Sequence, residues 1–404
     1  MLEQTIAATT HVLYACRVVH LGRLAIAVGL VGCVACGLAF APGDFAESAP
    51  GLAGPDSATG TPDAGDPGEG GALDADGPLT RIVVFAGRRD AVPGEASSPV
   101  GGAETMRTTV SASGELGPWA FDVSPPQTAS WTRAVLSGDQ LFLQSQSAFL
   151  TVTFAGAILG PEWRTLPTRS LPEGIMRPWL VSEDSIFVAG GQSDGAFTTN
   201  VFSAAIFPDG GVDEWRAASS KLVKARGDVT LVRHGDFLYA IGGRDSGSSD
   251  ASGRDEVEVA RFDADGDLGP FTVTTKLVNP AADAAAFQIL APTVTAGAGH
   301  LFVIGGQTTL SGGSMTDLVI AAKIDEATGE LGPWKALPKL PAPMNGAAAV
   351  VAGERVLLFG GNLGEVASDA VLALSIAQDG SFGTEWKKVG SLPGPRAGLA
   401  ALVY

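Results

Sequence analysis

Apolar residues recur along this chain in short runs, each cut off by glycine. "LFVIGGQ" (Leu301 to Gln307) returns as "LYAIGGR" (Leu238 to Arg244), "IFVAGGQ" (Ile186 to Gln192), "VLLFGGN" (Val356 to Asn362) and, more loosely, "IVVFAGR" (Ile82 to Arg88). Runs this short, rich in β-branched and aromatic residues and ended by glycine, predict strands rather than helices. Before each lies another run, such as "DVTLVRHG" (Asp228 to Gly235) or "AAAVVAG" (Ala347 to Gly353). After each comes an alternating run, such as "VEVARFD" (Val257 to Asp263) or "AVLALSIAQ" (Ala370 to Gln378). A short run around an aromatic mark closes each unit, at Trp119, Trp163, Trp215, Phe271, Trp334 and Trp386. The pattern therefore predicts six units of four strands.

Four-stranded units recurring at roughly 50 residues resemble kelch repeats, which assemble as blades of a β-propeller. The matching residues are Gly190-Gly191, Gly242-Gly243, Gly305-Gly306 and Gly360-Gly361, with the downstream Trp or Phe of each unit. Two features depart from the kelch pattern. The Tyr that usually precedes the Trp is missing, and the second unit carries "LQSQS" (Leu143 to Ser147) in place of the glycine pair. The resemblance implies an all-β, six-bladed β-propeller over residues 79–404. Its first unit begins directly at the glycine strand, "RIVVFAG" (Arg81 to Gly87), and the chain finishes on a lone leading strand, "PRAGLAALVY" (Pro395 to Tyr404). A C-terminal strand that completes the first blade would close the ring and remove an exposed edge. Paired glycines would allow positive φ where blades crowd the axis, and the Trp would pack between blades.

Composition agrees with this picture. The 404 residues are 45% hydrophobic and only 17% charged, with 54 glycines, as a turn-rich β protein requires. A net charge of −17 argues against nucleic acid as a partner, because phosphate binding needs a basic face. The cysteines Cys16, Cys33 and Cys36 all precede residue 40, leaving the repeats without disulfide, thiolate or Cys-ligated metal.

The front of the chain reads as an address. Leu24 to Ala41, "LAIAVGLVGCVACGLAFA", is uncharged and apolar and follows Arg17 and Arg23, the arrangement of a secretory signal. Within it, Leu30-Val31-Gly32-Cys33 resembles a bacterial lipobox, which implies a lipoprotein signal over 1–32 and lipidation of Cys33. An uncleaved anchor or an ordinary signal is the alternative, since the region ahead of the apolar run is long and holds Glu3. Residues 33–78, acidic and rich in Gly, Pro and Ala, predict a flexible linker, and its stretch from Pro42 to Pro78 would have an end-to-end distance of about 35 Å. The expected location is the cell envelope, as an outer-membrane lipoprotein or at the cell surface. Contact with membrane is expected only through the lipid, and the domain is expected to be monomeric.

Chemistry is sparse. Only His234 and His300 remain after Pro78, each in a turn before a glycine strand. "DADGD" (Asp263 to Asp267) resembles a calcium loop but lacks its glycine and bidentate Glu, and reads as a hairpin turn. Kelch-like oxidases of the galactose oxidase type use a cysteine that these repeats lack. No cofactor, no metal and no catalytic residue is expected.

What remains is a polar ring. The residues after the glycines are Arg88, Gln192, Arg244, Gln307 and Asn362, and the leading strands open near Arg133, Arg177, Arg226, Asn345 and Arg396. Antiparallel pairing puts both sets at one mouth of the propeller, and in kelch proteins residues past the glycines commonly line the ligand face. Arginine forks and amides suit carboxylates or hydroxyl-rich groups. The same arginines could instead tie loops together through backbone carbonyls. The expected function is a non-catalytic binding module for a protein or glycan, anionic partners included. The alternatives are a carbohydrate-active enzyme at the same mouth and a structural envelope protein.

Overall fold

A computed structural model describes residues 79–85, 88–89, 104–111, 114–126, 133–144, 149–166, 181–182, 185–193, 196–244, 253–280, 285–286, 288–289, 292–307, 315–364 and 366–404. The signal and linker expectations, with Cys33, lie outside these residues, as does Arg177.

Every described element is a strand or turn, and the strands form six blades. The first blade takes its innermost strand, Ala400–Val403, from the C-terminus and continues outward through Thr80–Phe85, Thr105–Val110 and Ala120–Asp122. The second runs Arg133–Ser137, Gln140–Gln144, Phe149–Ala155 and Arg164–Leu166; the third, Val181–Ser182, Ser185–Ala189, Asn200–Ala205 and Arg216–Lys221. The fourth runs Thr230–His234, Phe237–Ile241, Val257–Arg261 and Thr272–Val273. The fifth runs Thr293–Gly297, His300–Ile304, Val319–Lys323 and Lys335–Ala336, and the sixth Ala348–Ala352, Arg355–Phe359, Val366–Ser375 and Lys387–Ala397. Each leading strand touches the leading strands of both neighbouring blades, so the six close a ring around the axis.

Closure follows the expected route. Val403 pairs with Ile82 and Ala400 with Phe85, while the Tyr404 ring stacks on Phe154 of blade 2 at 4.4 Å and its hydroxyl donates to Ala157 O at 2.8 Å. The long strand Lys387–Ala397 leaves the outer edge of blade 6 and ends against Arg88–Arg89.

The repeated signals have the predicted jobs. Gly305 and Gly306 hold φ of 57° and 105°, and the other described pairs are alike. A Cβ on Gly190, Gly305 or Gly360 would lie 2.5 Å from the carbonyl oxygen of Arg226, Met344 or Arg396 respectively, the lead-in residue of the next blade. The following glycine donates its N–H to that same carbonyl: Gly191 to Arg226, Gly306 to Met344 and Gly361 to Arg396, at 2.8–2.9 Å. Four tryptophan indoles reach back to the previous blade: Trp163 to Val123 O, Trp334 to Thr275 O, Trp386 to Pro338 O, and Trp119 across the closure to Ser391 O.

The inner strands are buried on both faces, because neighbouring blades pack against each side. Their apolar residues form clusters shared between adjacent blades, such as Tyr239 and Val259 with Leu301 and Ile320. The "DADGD" stretch is a turn: Asp263 Oδ1 accepts from the N–H groups of Asp265 and Asp267. Asp325 caps its hairpin by accepting from the N–H groups of Thr328 and Ala327, and Asp379 by accepting from the side chain and N–H of Ser381, which holds both carboxyls below their usual range.

Candidate functional site

The mouth at the glycine end is built by antiparallel register. The second strand of a blade ends at its glycines where the leading strand begins, so the residue past the glycines faces the start of that leading strand. Arg244 bridges to Gly227, Asn362 to Asn345, and Arg88 pairs with Ala397. The lead-in residues proper are thus Arg226, Met344 and Arg396, one position ahead of these partners. Asn345 belongs to the next position along, a register that its polar character alone did not reveal.

Three of the expected residues join in one relay. Asn362 Nδ2 donates to Asn345 Oδ1 at 3.2 Å, and Asn345 Nδ2 donates to Gln307 Oε1 at 3.0 Å. The relay crosses from blade 6 to blade 5. Among the described residues, Gln307 Nε2 and Asn362 Oδ1 have no protein partner, so a donor and an acceptor stand at its two ends. Beyond it the hairpin Asn362–Leu363 against Val366–Ser375 turns over, with Leu363 and Val366 exposed.

A second cluster forms between blades 3 and 4. Gln192 is half-buried and pairs with Phe197 in a short hairpin. The Arg244 guanidinium lies over the Phe197 ring at 5.3 Å, and its Nε stands 2.8 Å from Asp228 Oδ2. Asp228 holds a φ of 49°, a left-handed conformation uncommon for any residue but glycine. Both Phe197 and Asp228 escaped the sequence reading. The only available signal for Asp228 was its place directly after Gly227.

Two arginines of the ring are interior. Arg226 is 0% exposed and pairs with Glu258, also 0% exposed. Its Nη1 donates to Gly242 O and Glu256 O at 2.9 and 3.0 Å, while Glu258 accepts from the N–H groups of Val223 and Lys224. Burial pulls the Arg226 guanidinium below its ordinary value, and Glu258 opposes that shift. Arg226 therefore has no donor to offer a ligand; it ties the approach to blade 4 to that blade's own strands. Arg396 is 1% exposed and engages Glu104 through Nη2 alone. Arg88 and Arg133 stand in strands at the expected places.

His234 and His300 stand at strand ends away from this mouth rather than in the turns expected from the sequence: His234 ends its leading strand and meets Glu326 at 3.0 Å, and His300 opens its strand with Nδ1 meeting the carbonyl of Ala298. Among the described residues no group of three or more His, Cys, Asp or Glu comes together as metal ligands.

Comparison with known proteins reaches only the fold. No protein-family model matches the chain, and no curated protein matches it. A solved structure described as "Structure of YjhT" is similar with a TM-score of 0.51 at 14% identity, covering 67% of this chain and 86% of that one. That likeness supports a six-bladed propeller and carries no residue roles across.

Proposed function

We propose that this protein is a non-catalytic binding module of kelch type, exported and held to the cell envelope through lipidated Cys33. On this reading it presents the glycine-end mouth to a protein or glycan. The observation that carries the reading is the concentration of hydrogen-bonding groups at that mouth. The Gln307–Asn345–Asn362 relay leaves a donor and an acceptor open, and Arg244 lies on an aromatic face beside Asp228. Exposed Leu363 and Val366 add apolar contact at the rim. A polar ring with a small apolar element is how binding faces combine specificity with area.

The test is to screen the full-length protein on glycan and envelope-protein arrays, then compare Arg244→Ala and Asn362→Ala with His234→Ala. The mouth variants are expected to lose about tenfold in affinity, the change that about 1.4 kcal/mol produces. His234→Ala, at the opposite end of its strand pair, is expected to bind as the parent does. Retained binding in both mouth variants would sink the reading. Lipidation is checked separately, by the intact mass of the membrane fraction.

A further inference from the structure

Blade 1 breaks a rule that its neighbours keep. Three lead-in residues occupy equivalent places, each giving its carbonyl to the second glycine of the preceding blade: Arg226, Met344 and Arg396. The register-equivalent positions on the third strand of the blade that follows are Glu258, Leu372 and Met106, each one step from the last pair with the second strand. Blade 4 fills the slot with charge. Arg226 meets Glu258, which also takes the N–H groups of Val223 and Lys224. Blade 6 fills it with apolar groups: Met344 and Leu372 share one core cluster, and Pro341, in the place of Val223, has no N–H to satisfy.

Blade 1 follows the apolar solution with Pro393 and Met106, yet keeps an arginine. Its counter-ion, Glu104, comes from two residues earlier, has a side chain 38% exposed, and meets only Nη2. Among the described residues, Arg396 Nε and Nη1 are buried with no hydrogen-bond partner. Orphaned buried donors are costly, more so on a charged group, and methionine serves at the same place in blade 6. Stability alone does not explain an arginine here. Arg88 and Arg89 pair in register with Ala397 and Arg396.

We propose that the Arg396 seam is a carboxylate-binding site in which Glu104 is the resident stand-in. A ligand carboxylate displaces the half-exposed Glu104 from Nη2 and spans one arm of the guanidinium fork, engaging a donor that is now unfilled. This rests on the binding reading above only in placing the site at the same mouth. The carboxylate could belong to an acidic peptide or to a uronate glycan, which share this chemistry.

The experiment titrates the full-length protein with acetate, poly-glutamate and polygalacturonate at fixed ionic strength, by calorimetry, alongside Glu104→Gln and Arg396→Met. Removing the competing carboxylate in Glu104→Gln is expected to tighten carboxylate binding by about tenfold, while Arg396→Met abolishes it. A tighter response to poly-glutamate assigns an acidic peptide, and one to polygalacturonate a uronate glycan. No response to any of the three in parent and Glu104→Gln alike overturns the proposal. Weaker binding in Glu104→Gln does so as well, since that marks Glu104 as a structural partner. The Glu104→Gln arm decides the matter even if Arg396→Met does not fold. Array binding that persists with Arg244 intact would leave the broader reading standing after such a failure.

Discussion

Ala298 is the residue where one blade departs from the turn chemistry of the others. The turns joining leading and second strands carry positive-φ glycines at Gly138, Gly235 and Gly353, whereas blade 5 places Ala298 at a φ of 49° ahead of Gly299. A Cβ in the left-handed region costs about 1–2 kcal/mol, partly offset by the freedom glycine loses on folding. Ala298→Gly is therefore expected to stabilise the domain by about 1 kcal/mol, read as a rise in the denaturant midpoint at unchanged slope. Gly360→Ala should do the reverse and more strongly. It combines a φ of 59° with a Cβ 2.5 Å from Arg396 O, and a loss of at least about 3 kcal/mol is expected. A parent-like midpoint for that variant would remove the blade-to-blade role given to the glycine pair. At this scale the sequence showed which residues were polar but not which were buried. Arg226 and Arg396 looked like ring members because both open a leading strand. Glu258, the partner that takes Arg226 out of the ring, lies 32 positions away in sequence on another strand.

Strands were legible because apolar runs recur in six units and end on glycine in five of them; their exposure was not. "VEVAR" reads as an alternating strand with one wet face, yet Val257 to Ala260 are all buried because a blade is covered on both sides. Glu258 is therefore a buried carboxylate, and its environment sets the cost of changing it. Glu258→Leu leaves Arg226 and two backbone N–H groups unanswered and is expected to cost about 3–5 kcal/mol. Adding Arg226→Met and Val223→Pro installs the set that blade 6 carries at Leu372, Met344 and Pro341. Most of the loss should then return, since replacing both members of a buried ion pair with packed apolar groups is often neutral. Urea unfolding of the single and triple variants gives the comparison. A triple variant no more stable than Glu258→Leu would mean that the two slots are not equivalent.

Ring closure belongs to the whole molecule. The six aromatic marks, a first unit without a leading strand and the lone leading strand at Pro395 to Tyr404 point to it in the sequence. In the structure, Ala400–Val403 completes blade 1 and Trp119 bonds Ser391 across the seam. Closure covers the inner edge of Thr80–Phe85, and Tyr404 extends the seal to blade 2 through Phe154 and Ala157 O. Deleting Ala400 to Tyr404 would bare the Thr80–Phe85 edge, whose last four residues are buried and apolar, and unpaired strands of that kind recruit other chains. The truncated protein is expected to elute as dimers and larger species with a markedly lower melting temperature. Trp119→Phe, which loses one hydrogen bond at the same seam, should keep the parent's elution volume at a cost of about 1 kcal/mol. Light scattering coupled to size exclusion separates the two cases. A monomeric truncation that melts with the parent would show that blade 1 stands without its borrowed strand, and that the ring is held by the glycine and tryptophan contacts alone.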